Sequence, residues 1–484
     1  VGLGDNSDGD IVFSDMGRIT KHMTIKGGTG RVGMGTTNPG YTLDVVGDIN
    51  LTNDVVMSGE VFVKAHDATK NYVAIGPNAG VTAQGSSAVA VGVNAGQTNQ
   101  GSNSVAVGLS AGSNNQGVNA VAVGRDAGYT AQGTQAVAVG YNAGDTTQGA
   151  NATAVGFNAG TTSQGANAVA VGNSAGSDNQ GSLAVAVGVL AGQTSQGINT
   201  VAVGDSAGQN NQSSGATAIG RYAGNDTQGD NAVAVGHLAA QISQGTGATA
   251  VGRTAGYTGQ GTQATALGRD AGYTSQGSQA VAVGYLAGRD NQSGFAVAVG
   301  TSAGSNNQGA NTVAMGRVAG ETAQASAATA VGAYAAQYNQ GISGVAVGYI
   351  AGQSNQGSAA TAVGNVAGQT SQGANATAVG DSAGRYNQGD QATALGFLAG
   401  NNNQGATAIA IGKRAGQTSQ GVSAVAISSD AGNTNQGSYA VAIGEQAGLT
   451  SQGVSSVAIG DQTARFNQGA SAVAVGNNAG LTSQ

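Results

Sequence analysis

The stretch AVAVGYNAGDTTQGANATAVG (Ala136–Gly156) contains one full period of the repeat that fills most of this chain. Sixteen residues separate Val137 from Thr153, and the pattern recurs from Val73 to Gln484 in 26 units without insertion or deletion, the last one cut short. Counted from the first residue of each unit, the repeat reads V-A-V-G-x-x-A-G-x-x-x-Q-G-x-x-A. A fixed period of this length predicts a solenoid in which each unit forms one coil.

The composition excludes several classes of protein. The 484 residues include 87 glycines, 2 prolines and no cysteine, and only 8% are charged. Collagen needs far more proline, and a disordered chain needs more charge and less Val and Ala. A net charge of −7 gives no basic surface for nucleic acid. No apolar run approaches the roughly 20 residues of a membrane helix, so we predict no membrane insertion in this segment.

Each repeat unit is expected to form two strands. Positions 16 to 3 alternate small and large side chains, which is typical of a strand, and the glycine at position 4 ends it. Positions 9 to 12 form a second, more polar extended stretch, with turns at the glycines of positions 8 and 13. Helix is excluded because six-residue spans between glycines cannot hold a 3.6-residue period. A coil that advances ~4.8 Å per unit makes 26 units a rod of roughly 120 Å.

The 26 units can be compared position by position. Position 2 is always Ala, position 12 always Gln, position 3 always aliphatic, and position 7 is Ala except at Thr463. Position 1 accepts Thr in eight units, such as Thr153, so it is expected to be more exposed to water than position 3. We assign position 3 to the core. Ala240, Ala336 and Ala464 replace the glycine of position 8, so small size rather than a positive φ is the expected requirement there.

Charged residues mark the surface of the expected coil. All 24 charged residues after position 72 fall at repeat positions 5, 6, 9, 10 or 14, which we predict to face solvent or a partner while the other positions do not. His237 at position 5 is expected to be an ordinary surface residue.

The invariant glutamine has two interpretations. Its amide satisfies backbone groups of the turns and stacks from coil to coil as a ladder, or it forms a polar strip that contacts a ligand. The residues that we assign to structural ladders are Ala138, Val139, Ala143, Gln148, Gln164, Ala170, Val171 and Gln180.

One coil buries little apolar surface against the ordering entropy of 16 residues. We therefore expect a homotrimer about a shared axis, with an Ala face or a Val face between the chains; which of the two lies inside the coil is left open. Leu at Ala170 or Ala298 is expected to disrupt this assembly.

AVAVGYNAG (Ala136–Gly144) and SVAIGDQTA (Ser456–Ala464) resemble the SVAIG-type repeats of YadA-like heads in trimeric autotransporter adhesins. The resemblance covers Val73–Gln484 and implies a trimeric, left-handed parallel β-roll, although the family's usual unit is shorter. GRVGMGTTNPGYTLDVVGDINLTND (Gly30–Asp54) resembles a segment of phage tail fibres and of fibre proteins from large DNA viruses, where it precedes a β-structured shaft.

These resemblances divide the chain into a β-rich N-terminal region, 1–72, with the fibre-like motif at 30–54, and the β-roll repeats, 73–484. In the first region we predict a strand over Tyr41–Val46, after the turn at Asn38–Gly40, and short strands at the IVF, VVM and VFV triplets.

No motif indicates catalysis. The three histidines lack metal-ligand spacing, so no metal or cofactor is expected and the chain is not predicted to be an enzyme. The stretch GDNSDGD (Gly4–Asp10) is interpreted as a solvated loop, with a calcium site as the alternative, because it lacks the ligand order of an EF-hand.

Three functions remain open at this point. The first is a structural fibre or shaft, extracellular or on a virion surface, that supports attachment to a host cell. The second is an adhesin head that binds a host glycan, matrix or receptor. The third is an ice-binding solenoid, which would use the Thr found at position 10 in 14 of 26 units.

Overall fold

The computed structural model describes residues 2–5, 9–14, 21–36, 38–45, 55–57, 60–63 and 71–482. Within these ranges every regular element is a strand and none is a helix. The repeats form a parallel β-solenoid with one coil per 16 residues, which confirms the predicted all-β fold class.

The N-terminal region contains a five-stranded sheet in chain order: β1 (Gly2–Asp5), β2 (Ile11–Ser14), β3 (Lys21–Ile25), β4 (Val32–Met34) and β5 (Leu43–Val45). Its pairs are antiparallel except the last, which is parallel. The predicted IVF strand is present as β2. The strand predicted over Tyr41–Val46 is shorter than expected, since Tyr41 and Thr42 form a bend, and Val46 lies outside the described residues.

A hairpin connects this region to the solenoid. It consists of β6 (Val55–Met57) and β7 (Glu60–Val63), which contain the predicted VVM and VFV triplets. Strand β7 pairs with the first solenoid strand through Val63 and Ile75, in the antiparallel sense.

Two parallel sheets build the solenoid. The first sheet has 26 three-residue strands at repeat positions 1–3, spaced every 16 residues from Val73–Ile75 to Val473–Val475. The second sheet has 24 such strands at positions 10–12, from Thr98–Gln100 to Phe466–Gln468. Identical positions pair in register, so that Ala138 lies between Ala122 and Ala154. This register turns every repeat position into a ladder along the rod.

The interior of the coil is filled by alanine and glutamine. The alanines of positions 2, 7 and 16 are almost entirely buried except Ala472 and Ala479 at the end of the rod, and so are the position-12 glutamines from Gln84 to Gln468. The gap between the sheets is narrow: a Cβ built on Gly96 would lie 2.4 Å from Gln100 Oε1 and 3.2 Å from Ala90 Cβ. An inward valine would not fit such a gap.

The assignment of position 3 to the core is therefore wrong. Val139 and Val171 point outward and are only half-buried, whereas Ala138 and Ala170 beside them are fully buried. The expectation that position 1 is more exposed to water than position 3 is also wrong, because both positions lie on the outer face of the coil. Leu267 at position 3 is 46% exposed. Thr is tolerated at position 1 because its hydroxyl faces outward.

Position 8 requires a left-handed backbone as well as a small side chain. Its glycines have φ near that of Gly96, +50°, and Ala240, Ala336 and Ala464 keep φ values of 45°, 43° and 47°. The expectation that size alone decides this position is wrong. Glycine predominates because it adopts positive φ without the strain that a Cβ introduces.

The charged positions do lie outside the coil, as predicted, and His237 is exposed. The second half of that prediction is wrong, because positions 1, 3, 11 and 15 face outward as well. Asp430 is 7% exposed because Arg414 covers it, with Nη2 and Nε each 2.8 Å from a carboxylate oxygen.

Candidate interaction surfaces

The described residues contain no group of three or more His, Cys, Asp or Glu side chains able to hold a metal ion. Asp10 is not part of a solvated loop: it is 2% exposed, accepts a hydrogen bond from Gly27 N at 3.1 Å and lies 2.9 Å from Lys26 Nζ. Residues 6–8 of that stretch lie outside the described ranges. Because Lys26 already neutralises Asp10, that carboxylate is not open to calcium.

An open groove of about 450 Å³ lies on the outer surface where Ser213 replaces the usual glycine of position 13. Its lining includes Asn179, Asn211 and Asp230, together with serines and backbone. These groups include no paired nucleophile and base. A β-solenoid of this kind is typical of structural proteins.

The glutamine column is a hydrogen-bonded amide ladder. Gln148 Nε2 donates to the carbonyl oxygen of Val137 at 2.8 Å and to Gln164 Oε1 at 3.0 Å, and Gln164 in turn donates to Gln180 Oε1 at 3.0 Å. The same link joins every coil from Gln196 to Gln468. Buried amides that bond in this way cannot reach a ligand, so the ligand-strip interpretation is wrong.

The outward side chains of positions 1 and 3 form what we call the valine face. It is a ribbon two residues wide that follows the first sheet along all 26 coils, aliphatic throughout at position 3 and interrupted by Thr at position 1 in eight coils. Between the two end coils the longer side chains are the most exposed, with Leu267, Leu395 and Met315 between 43% and 46% exposed. Monomeric soluble proteins rarely expose an apolar patch of this extent.

Aromatic and arginine side chains stack along the corner made by positions 5, 6 and 9. Tyr141 and Phe157 are parallel with centroids 5.2 Å apart, and Arg125 lies 5.2 Å from the Tyr141 centroid. Tyr257 and Tyr273 stack at 4.9 Å. These contacts join residues 16 apart, so only the repeat register brings them together and no local sequence motif marks them.

Asp145 lies at this corner, and partial burial, followed by repulsion from Asp126, raises the pKa of its carboxyl above the usual value of 3.8. The folded chain therefore binds more protons than the unfolded chain between 3.8 and the raised pKa, so this group's contribution to stability falls as pH rises through that window.

We expect Asp145→Asn to raise the melting temperature slightly at pH 7 and to leave it unchanged below about pH 3, where the carboxyl is protonated in both states. Asp461→Asn, at an exposed position, is the control, and thermal melts followed by circular dichroism at both pH values measure the difference. A gain that persists at pH 3 would contradict the assignment.

No protein-family model matches this sequence, and no curated protein matches it either. Within the described ranges, no helix has the length and apolar character needed to cross a membrane.

Proposed function

We propose that this protein is a structural shaft, a stiff rod of three identical chains packed along their valine faces. The resemblance to trimeric adhesin heads and viral fibres favours three chains and a place outside the cell or on a virion surface, supporting attachment to a host. In this proposal the repeats set the length and stiffness of the rod and carry no catalytic role, since their interior is filled by alanine and glutamine.

One observation carries the proposal. Position 3 is aliphatic in all 26 units although it points outward, whereas the outward positions 5 and 15 accept both polar residues and large apolar ones. An aliphatic side chain on a free surface gains nothing from excluding polar replacements. Its invariance is explained if a partner covers it, because a buried polar group without a hydrogen bond is costly.

The period of the repeat favours a second copy of the same chain as that partner. A surface that covers this ribbon over 26 coils must advance by the same strand spacing along its whole length. Another copy of the chain meets this condition at every coil, and three copies related by rotation about a shared axis would bring their ribbons together in a closed symmetric assembly.

We expect the parent protein to sediment at equilibrium with a mass of about 139 kDa, three times the 46.2 kDa of one chain. The triple variant Val155→Lys, Val171→Lys and Val187→Lys should associate at least about 100-fold more weakly, because each unpaired buried lysine costs several kcal/mol.

The matched control places three lysines on the opposite sheet of neighbouring coils, at the exposed residues Ser163, Asn179 and Ser195. It carries the same added charge and should keep the mass of the parent. A parent that sediments as a single chain, or a valine-face variant that associates as well as this control, would refute the proposal.

A further inference from the structure

Four consecutive coils carry a basic or histidine side chain at position 5: Arg221, His237, Arg253 and Arg269. All four side chains are exposed, and the register stacks them one strand spacing apart. Like charges placed directly opposite each other on adjacent strands are destabilising. Because position 5 accepts neutral and acidic residues in other coils and the chain is acidic overall, stability does not account for this run.

Tyrosines hold the guanidinium groups next to this run. Arg269 lies 4.2 Å from the centroid of Tyr285, and Arg289 lies 5.8 Å from the centroid of Tyr273, whose other face is stacked on Tyr257. A planar guanidinium stacked on an aromatic ring keeps its edge available for two parallel hydrogen bonds to an anion. We call this surface the Arg–Tyr corner; it consists of Arg253, Tyr257, Arg269, Tyr273, Tyr285 and Arg289.

These arginines are only weakly neutralised. Arg269 and Arg289 each approach the aspartate that follows them at 3.6 Å and through Nε alone. Arg253 has no ion pair within the described part of the chain. By contrast, Arg414 holds Asp430 through two nitrogens at 2.8 Å. The corner therefore keeps guanidinium nitrogens free for an external anion.

We propose that the Arg–Tyr corner binds an acidic polysaccharide, a chain of sulfate- or carboxylate-bearing sugars lying along the rod. Each anionic group would accept hydrogen bonds from one guanidinium edge, and the tyrosine hydroxyls would bond sugar hydroxyls. Arg269 and Arg289 are already ordered by stacking on tyrosine rings, so these two side chains lose little entropy on binding. The site goes beyond the structural role proposed above and does not depend on the number of chains in the rod.

The geometry favours a saccharide over nucleic acid or a membrane. Single-stranded nucleic acid binds by stacking its bases on free aromatic faces, but the facing sides of Tyr257 and Tyr273 cover each other, and Arg289 lies over the next face of Tyr273. An anionic membrane attracts a broad basic surface, whereas this corner is a narrow strip flanked by Asp270 and Asp290. A narrow strip suits a thin chain with spaced charges.

Titration calorimetry of the full chain tests the proposal, with a heparin oligosaccharide as the sulfated probe, an alginate oligosaccharide as the carboxylated probe and dextran as the neutral one. Both acidic probes should bind the parent and dextran should not. The variant R253S/R269S/R289S should bind at least about 10-fold more weakly, since charge-assisted bidentate hydrogen bonds are lost. Y257F/Y273F keeps the stacked rings, removes two hydroxyls and should bind more weakly by a smaller factor.

The matched control, R125S/R385S/R465S, removes the same charge from three arginines that also lie over aromatic rings in other coils. It should bind the acidic probes as the parent does, and all variants should keep the circular dichroism spectrum of the parent. Failure of both acidic probes to bind, equal loss in the two triple variants, or tighter binding of oligo-dT than of either saccharide would overturn the proposal.

Discussion

A Gln292→Glu variant should unfold at a markedly lower temperature than the parent at pH 7. Gln292 is 0% exposed, and its Nε2 donates to the carbonyl oxygen of Val281 at 2.9 Å and to Gln308 Oε1 at 3.0 Å. A carboxylate has no N–H to donate and would place a negative charge against these acceptor oxygens. A buried charge without a partner costs about 3–5 kcal/mol, which is large for one coil.

The pH dependence of the lowered unfolding temperature shows whether the buried charge causes it. Burial should raise the pKa of the new carboxyl, so the penalty is complete above that pKa and becomes smaller as acidification protonates the group. Gln279→Glu, at an exposed position of the preceding coil, is the control and should lower the stability only slightly. Circular dichroism melts and hydrogen exchange over residues 265–312 measure both. A Gln292→Glu variant as stable as this control would contradict a buried ladder.

The second large effect is expected from Ala298→Leu. Ala298 is 0% exposed and lies between Ala282 and Ala314 in the first sheet, facing the narrow interior. Overpacking a tight core costs about 1–3 kcal/mol, and here the coil has little room to relax. Since solenoid stability is a sum over coils and their interfaces, hydrogen exchange should increase most in the coils on either side of residue 298.

The neighbouring residue provides the control for this change. Val299 points outward, and Leu occurs naturally at the same repeat position as Leu267 and Leu395, so Val299→Leu should leave stability nearly unchanged. The sequence led us to expect that Leu at Ala170 or Ala298 disrupts assembly. The structure predicts instead that Leu at these positions destabilises the coil itself. Equal destabilisation by Ala298→Leu and Val299→Leu would contradict the inward placement of alanine.

The period and the strand positions could be predicted from the sequence because 26 aligned units average out local variation. The orientation of the strand could not. Alternation separates an Ala face from a Val face, and the usual preference for large apolar residues in a core favoured the wrong one. The width of the interior, which decides the matter, depends on how closely the two sheets approach. Invariance among the units was the better indicator of a buried position: Ala at position 2 and Gln at position 12 never vary, whereas position 1 accepts Thr.

Two further features were missed for physical reasons. Positions 6, 11 and 15 have positive φ in residues as different as Leu238, Asn99 and Phe295, so no residue type marks these turns consistently. The Arg–Tyr corner joins side chains that are 16 residues apart or on different repeat positions. A column-by-column comparison of charge, rather than a search for local motifs, would have shown the run at position 5.

Thiol labelling reports whether alanine fills the coil and whether other copies of the chain cover the valine face. The protein has no cysteine, so each of three variants, Ala170→Cys, Val171→Cys and Ser163→Cys, carries a single thiol. We predict rapid maleimide labelling at 163 and none at 170 unless the protein unfolds. At 171 we predict protection that is lost when the protein is diluted to concentrations at which the chains no longer associate. Labelling at 171 as fast as at 163 at every concentration would rule out a covered valine face, and labelling at 170 in the folded protein would rule out an alanine-filled coil.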